Sequence, residues 1–184
     1  QTLTFYRGTG DSNTCIGYAS GEDLTTGYEN TLVGRDAGKN FTTNFANVAI
    51  GNYTLDAANS NEHYNTAVGY GALGSETSSA DYCVAVGAYA LNDQNASVKN
   101  TAVGGLAGDA ITSGSGNTIL GYAAGSAVTD HHNNTYIGST AGEASTGANN
   151  VAVGSLAFKA SGDADDNVCV GTSAGTALTS GPGN

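Results

Sequence analysis

The sequence predicts an all-β protein, a parallel β-solenoid of about ten 17-residue coils, and three observations lead to that fold class. A short phrase of the kind "NTAVG" returns ten times, at spacings of 16 to 18 residues. The units consist of Gly, Asn, Thr and Ser together with β-branched residues, which favour turns and strands. No segment shows an apolar period of 3.6 residues, and helical repeats need roughly 30 residues per unit.

Each phrase keeps four columns in phase along the chain, which is the signature of a repeat protein. Asn opens nine of the ten phrases, and Cys83 opens the fifth. Gly closes every phrase four residues later, directly after an aliphatic residue and three residues before Ala, Ser or Thr. The opening asparagines are Asn13, Asn30, Asn47, Asn65, Asn100, Asn117, Asn134, Asn150 and Asn167. The closing glycines are Gly17, Gly34, Gly51, Gly69, Gly87, Gly104, Gly121, Gly138, Gly154 and Gly171.

One repeat is long enough for a flattened coil of two short strands and two turns, and ten coils stacked ~4.8 Å apart make a rod roughly 48 Å long. Within each phrase the Thr/Val column and the aliphatic column share one face, and an Ala-rich column, which includes Ala102 and Ala152, occupies the other. Both faces are apolar, as in a parallel strand that is buried on both sides. We expect the first face to fill the coil. We expect identical chains around a symmetry axis to cover the Ala-rich face, as a trimer, with a dimer left open.

The repeats also predict the domain organisation. Residues 1–184 form a single array, in which residues 1–12 resemble the closing part of a preceding repeat and residues 13–184 hold ten repeats. Asn184 falls on the opening column of a further phrase. Because the pattern runs through both ends, we expect either a segment of a longer fibre or a unit that stacks end to end.

Two phrases carry a resemblance to known families. "NTAVGYGAL" (65–73) and "NTILGYAAG" (117–125) resemble the NTAVGYxAL repeats of phage and other viral tail-fibre proteins. They are also similar to the shorter NSVAIG-type repeats in the heads of trimeric autotransporter adhesins, which form left-handed parallel β-rolls with three chains side by side. Over residues 13–184 the resemblance implies a left-handed, trimeric, extracellular solenoid on a virion or a cell surface.

Charge and motif content argue against several other classes. The net charge of −11 disfavours nucleic acid and anionic membranes as partners, and no apolar run reaches the ~20 residues of a membrane span. No spacing suggests a catalytic set, and a phosphate-binding glycine loop would need a following helix. Asp130, His131 and His132 are an incomplete ligand set for a metal. We therefore expect no enzyme, cofactor or metal, and interpret the asparagines as stacked amides that hydrogen-bond along the rod.

The three cysteines provide a test of the coil arrangement. Cys15 and Cys169 occupy one column nine coils apart, and Cys83 lies at least four coils from either. A disulfide needs Cα atoms within about 7 Å, so three free thiols are expected.

Three functions remain open. The sequence favours a fibre or adhesin segment that extends toward a host surface, where a glycan or a protein is the receptor. A self-assembling filament without receptor binding is the alternative, and an ice-binding solenoid is more remote because the Thr column alternates with Val and shares the aliphatic face. Exposed tyrosines could stack on sugar rings or fill gaps between chains. The candidates for glycan contact are Tyr18, Tyr70 and Tyr122.

Overall fold

The fold is a single stack of coils. A computed structural model describes residues 9–58, 62–75, 80–95, 99–159, 162–176 and 178. Residues 1–8 of the expected partial repeat and Asn184 lie outside the described residues. Strands are the only regular elements among the described residues, so the predicted all-β class is confirmed. They are β1 (Thr14–Ile16), β2 (Thr31–Val33), β3 (Val48–Ile50), β4 (Thr66–Val68), β5 (Val84–Val86), β6 (Thr101–Val103), β7 (Thr118–Leu120), β8 (Thr135–Ile137), β9 (Val151–Val153) and β10 (Val168–Val170).

All ten strands form one parallel sheet in sequence order, which confirms the β-solenoid. We number the coils 1 to 10 after their strands. The register follows the repeat, so that Thr31 pairs with Val48 in the next coil and Val33 pairs with Ile50. Equivalent residues of neighbouring coils therefore lie above one another along the whole array.

Each described coil contains one short strand, whereas two were expected. Outside the strands, residues at fixed positions adopt left-handed backbone conformations, such as Tyr53 (φ 57°), Leu55 (φ 50°) and Tyr64 (φ 60°). These turns still bond to both neighbouring coils, since the Tyr53 N–H donates to the Arg35 carbonyl at 2.9 Å and the Leu55 N–H donates to the Ala72 carbonyl at 3.2 Å. Turns thus replace the second strand without leaving the coils unpaired.

The closing glycines are required by backbone geometry. Gly34 has φ 141°, and a Cβ atom there would overlap the carbonyl oxygen of Gly51 in the next coil. The same conformation recurs at every closing glycine, with φ between 127° and 141°. Only glycine combines that conformation with so close an approach of two backbones.

The assignment of the two strand faces was wrong. The central residue of the strands lies inside the coil, and Ala102 and Ala152 are fully buried within one chain, so the Ala-rich column cannot form an interface between chains. The Thr/Val and aliphatic columns point outward instead, with Val170 69% exposed. Alanine suffices in the interior because large residues from the turns pack opposite it, for example Leu73 and Phe158.

Core volume is shared between the strand and the turn that follows it. Where the strand centre is large, as at Leu32 or Tyr136, the residue four after the closing glycine is Gly38 or Gly142. A Cβ atom at Gly142 would lie 2.5 Å from ring atoms of Tyr136. Where the strand centre is Ala67, Leu73 fills the space. Side chains of the strand and of the following turn together fill the interior of these coils.

The cysteines agree with the stack. Cys15, Cys83 and Cys169 are all free, as expected from their separation along the array.

Candidate functional site

The most extended feature of the surface is an outward row of β-branched and aliphatic side chains. We define the strip as the first and third residues of β1 to β10. The first residues are six threonines and four valines, and the third residues are all Val, Ile or Leu. The strip contains no charged residue and runs ~43 Å across nine coil steps. Single exposed apolar residues are ordinary, but a row of this length made mainly of aliphatic residues is a candidate interaction site.

A ladder of buried amides borders the strip on the side where each strand begins. Asn117 is typical: its backbone N–H donates to Oδ1 of Asn100 at 2.8 Å, and its own Oδ1 accepts the N–H of Asn134 at 2.9 Å. Its Nδ2 donates to the carbonyl of His131 at 3.0 Å. Except for Asn13, these asparagines are no more than 1% exposed. Their polar atoms are used within the chain, so the column joins the coils and offers nothing to a ligand.

The ladder changes partners at the fifth coil, where Cys83 replaces Asn. The Cys83 N–H still donates to Oδ1 of Asn65 at 2.9 Å. The buried Gln94 side chain then bridges the gap, accepting from Nδ2 of Asn100 at 3.2 Å and donating to Sγ of Cys83 at 3.3 Å. Sequence reasoning missed Gln94. A polar residue at a position that is apolar in most coils was the available signal.

Aromatic side chains line the strip on the side of the closing glycines. We define the glycine-side rim as the residues one and two after each closing glycine. A chain of contacts runs along this rim from coil 1 to coil 5. It begins at Arg35, whose guanidinium carbon lies 5.9 Å from the ring centroid of Tyr18 and 5.4 Å from the ring centroid of Tyr53. Tyr53 contacts Tyr70 edge to face at 5.5 Å, and Tyr70 contacts Tyr89 in the same way at 5.3 Å. The Tyr89 phenol raises the pKa of Tyr70, since two adjacent phenolates would repel each other.

The three tyrosines proposed for glycan contact are thus divided. Tyr18 and Tyr70 belong to the part of this rim in coils 1 to 5, where cation–π and ring contacts join one residue of each coil to the next. Tyr122 lies in the same column as Tyr18 and Tyr70, two coils beyond the coil of Tyr89. Its side chain is 61% exposed. Its neighbours in that column are Gly105 and Ser139, so it stands apart from the ring contacts of the rim. Glycan contact at these residues stays a prediction.

A second aromatic column borders the strip on the asparagine side and was not predicted. We define the asparagine-side rim as the residues one and two before each opening position. The Tyr28 and Phe45 rings are parallel with centroids 4.8 Å apart, and His63 stacks on Phe45 at 3.8 Å. Tyr64 and Tyr82 stack at 4.8 Å. The signal in the sequence was an aromatic residue at one of these two positions in coils 2 to 5.

The asparagine-side rim becomes polar in the second half of the array. From coil 6 onward it contains no aromatic ring except the imidazole of His132, whose Nδ1 accepts the Ser115 N–H at 2.9 Å. In the last coil the rim is Asp165 and Asp166, and Asp165 Oδ1 accepts the Ala148 N–H at 2.8 Å. The other described rim residues of coils 6 to 10 are Lys99, Gly116, Asn133 and Asn149, and Val98 of coil 6 lies outside the described residues. The surface of the solenoid therefore differs between its two halves, although the core repeats throughout.

The two aspartates whose pKa values are raised lie far from each other. Burial raises the pKa of Asp56 in coil 3 and of Asp109 in coil 6. Three coil steps separate them by roughly 14 Å, which is too far for a carboxylate pair that shares one reacting group. Among the described residues, no three His, Cys, Asp or Glu side chains converge as they would around a metal ion. Nor does the described part of the chain contain a helix long and apolar enough to cross a bilayer.

Comparison with known proteins gives no assignment. No protein-family model, curated protein or solved structure matches this chain. The strip and its rims therefore have to be interpreted from their own chemistry.

Proposed function

We propose that this chain is a structural segment of an extracellular fibre, of a phage tail or of an adhesive cell surface, that extends toward a host cell and presents its attachment surface. The observation that carries the proposal is the uncovered strip on an in-register stack of ten strands. A rod with one uncharged, aliphatic face is suited to bundling with identical rods. Fibres that span a distance are built in this way from symmetric copies.

The internal bonding of the array supports a mechanical role. Backbone hydrogen bonds join each coil to both neighbours, and the asparagine ladder adds bonds between side chain and backbone at nearly every step. Bending the rod would break several of these bonds together, because they lie in parallel columns. The described residues thus form a spacer whose length is fixed by the number of coils.

The partner in this proposal is a second and a third copy of the chain, bound through the strip. A buried contact between Val, Ile and Leu side chains from several copies removes them from water, at about 25 cal/mol per Å² of apolar surface. The strip carries no charge that such a contact would leave unpaired. A trimer places three strips around one axis, and a dimer places two strips face to face.

Sedimentation equilibrium tests the assembly. Val103→Lys puts a charge in the middle of the strip, and we expect it to lower the oligomer mass to that of the monomer while the circular dichroism spectrum stays unchanged. Ala127→Lys is the matched control, because Ala127 is exposed in the following coil but lies outside the strip. A wild-type chain that sediments as a monomer up to high concentration would refute the assembly.

A second candidate function is ice binding, which one observation of the fold favours. The Thr residues of the strip face outward at a regular spacing, and Thr14 and Thr118 are exposed. Such a protein would have to keep the strip free in solution, whereas a fibre covers it. Thermal hysteresis from a monomeric chain that is lost in Thr101→Lys would favour ice binding. An oligomer without thermal hysteresis would exclude ice binding. The remaining functions would then be the fibre segment and the filament without receptor binding.

A further inference from the structure

We infer that the aromatic rims of coils 1 to 5 are the contact between neighbouring copies of this chain, and that the copies therefore lie parallel with equal coils side by side. This inference rests on the assembly through the strip proposed above. It adds which residues complete the interface and how the copies are oriented. The occupant of the rims is a second copy of the chain.

The size of the strip favours an interface that includes a border. Ten coils spaced ~4.8 Å apart and a strand about 10 Å long give a footprint of roughly 500 Å². Stable protein interfaces bury about 800 Å² on each partner. A planar footprint is smaller than the accessible surface that its side chains expose, so the strip forms a narrow contact that a rim on either side would widen beyond that area.

The chemistry of the rims fits such an extension in the first half of the array. On the asparagine side Tyr64 and Tyr82 are 47% and 55% exposed, and on the glycine side Tyr70 is 47% exposed. All three rings are already held by contacts with rings in adjacent coils. Because these rings are already held in place, a partner that packs against them restricts little further side-chain motion. The entropic cost of association is therefore lower. Tyrosine is also among the residues enriched in the centres of interfaces.

Symmetry then selects the orientation. Suppose that the copies are related by rotation about a symmetry axis that runs parallel to the rods. The asparagine-side rim of one copy then adjoins the glycine-side rim of the next copy, and each coil lies beside the coil of the same number. The aromatic residues of the asparagine-side rim in coils 3 to 5 then meet Tyr53, Tyr70 and Tyr89 of the glycine-side rim in the same coils. In coil 2, Glu29 of the asparagine-side rim then adjoins the ion pair of Arg35 and Asp36 on the glycine-side rim, in which Nε and Oδ2 are 3.0 Å apart.

The antiparallel arrangement brings together unlike surfaces. A twofold axis across the rod places each rim against the same rim of its partner in reversed order, so that coil 2 meets coil 9 and coil 5 meets coil 6. The stacked rings of Tyr64 and Tyr82 would then face the polar rim that includes Lys99, Ser115 and His132. Aromatic faces on both copies would stay uncovered. The presence of aromatic residues on both rims of the same coils has a direct explanation only in the parallel arrangement.

Disulfide trapping tests the orientation. Val33→Cys and Val153→Cys each place one thiol in the third column of the strip, in coils 2 and 9. In a parallel assembly each variant alone forms disulfide-linked dimers under mild oxidation, because a residue of the strip meets its own equivalent near the axis. No antiparallel arrangement allows both variants to link to themselves. The wild-type chain, whose Cys83 and Cys169 are buried and whose Cys15 is half-buried, is the control.

The outcomes separate the inference from the proposed function. Links within each variant support the parallel arrangement. Links that form only when the two variants are mixed overturn it, while the assembly itself stands. A chain that is monomeric by sedimentation and forms no links refutes the assembly.

Substitution of the rings tests the rim contact separately. Tyr64 and Tyr82 have φ of 60° and 58°, and Asn tolerates that conformation better than most residues, so Tyr64→Asn with Tyr82→Asn should fold normally. We expect self-association to weaken at least about tenfold, as for loss of an interface hot spot. Asp166→Asn in the same column of coil 10 is the control and should change association little. Unchanged association of the double variant would overturn the rim contact, and so would glycan binding that is lost with the rings while association is kept.

Discussion

The buried phenol of Tyr136 should make the stability of the array fall at alkaline pH, and Tyr136→Phe should remove that fall. The Tyr136 side chain fills the interior of coil 8, and its hydroxyl donates to Oγ of Ser145 at 2.9 Å. Burial raises the pKa of Tyr136 to about 12, an effect that the hydrogen bonds with Ser145 and Asn150 only partly offset. An unfolded tyrosine has a pKa of about 10.

The sign of the effect follows from the two pKa values. Below pH ~10 both the folded and the unfolded chain keep the proton, so this group adds no pH dependence. Between the two pKa values the unfolded chain loses the proton and the folded chain retains it, so the free energy of unfolding falls as the pH rises. Two pKa units at 1.36 kcal/mol each give a total loss of about 3 kcal/mol, of which roughly 2 kcal/mol is reached by pH ~12.

The phenylalanine variant should therefore show a crossover. Near neutral pH it should be less stable than the wild type by about 1 kcal/mol, because the buried Ser145 hydroxyl loses its donor. Above pH ~11 it should be the more stable of the two, since it has nothing to ionise. Urea unfolding at a series of pH values measures both curves, and tyrosinate absorbance should show one more late-ionising tyrosine in the wild type than in the variant, since the raised pKa of Tyr70 is common to both. Parallel stability curves for the two proteins would refute the reasoning.

The remaining predictions concern the ladder, the core and the strip. Asn117→Ala removes the acceptor of the Asn134 N–H and the donor to the His131 carbonyl, and should lower the free energy of unfolding by about 2–4 kcal/mol in urea unfolding. Gly142→Ala should cost at least about 2 kcal/mol through its contact with the Tyr136 ring and its φ of 61°, whereas Gly105→Ala, with contacts no closer than 3.7 Å, should change the thermal midpoint little. Val86→Thr should weaken self-association in sedimentation more than Val84→Thr, although both face outward on β5; equal effects would contradict a buried third column.

Much of the fold could be predicted from the sequence because the constraints on it are periodic. The closing glycines and the opening asparagines each satisfy a backbone requirement that recurs in every coil, and so both columns are nearly invariant along the chain. It was harder to predict which face of each strand points into the core. Leu55, Leu91 and Phe158 fill the core from left-handed positions in the turns, where bulky residues are uncommon. Glycine occupies the same position in six of the ten coils, so no apolar column is visible there, and the Ala-rich centre looked too small for a core.

Surface features were less predictable because no repeated contact fixes them. The tyrosines directly after the glycine were visible as a column, but the rim also includes Tyr53 and Tyr89, one residue further on. On the other rim, Tyr28 and Phe45 stand two residues before the asparagine, while Tyr82 stands one residue before Cys83. The left-handed turn brings both positions to one side of the sheet, which alternation along an extended strand would not suggest.

The composition of the strip itself agrees with the proposed contact between copies. Strand propensity explains β-branched residues at both outward positions, and threonine serves that purpose as well as valine does. The first position of the strands accepts threonine in six of ten coils, yet the third position is Val, Ile or Leu in all ten. If both columns faced water throughout, nothing would exclude threonine from only one of them. We therefore expect the third column to lie within the proposed contact between copies, and the first column to lie nearer the edge of that contact, where a hydroxyl can still reach water.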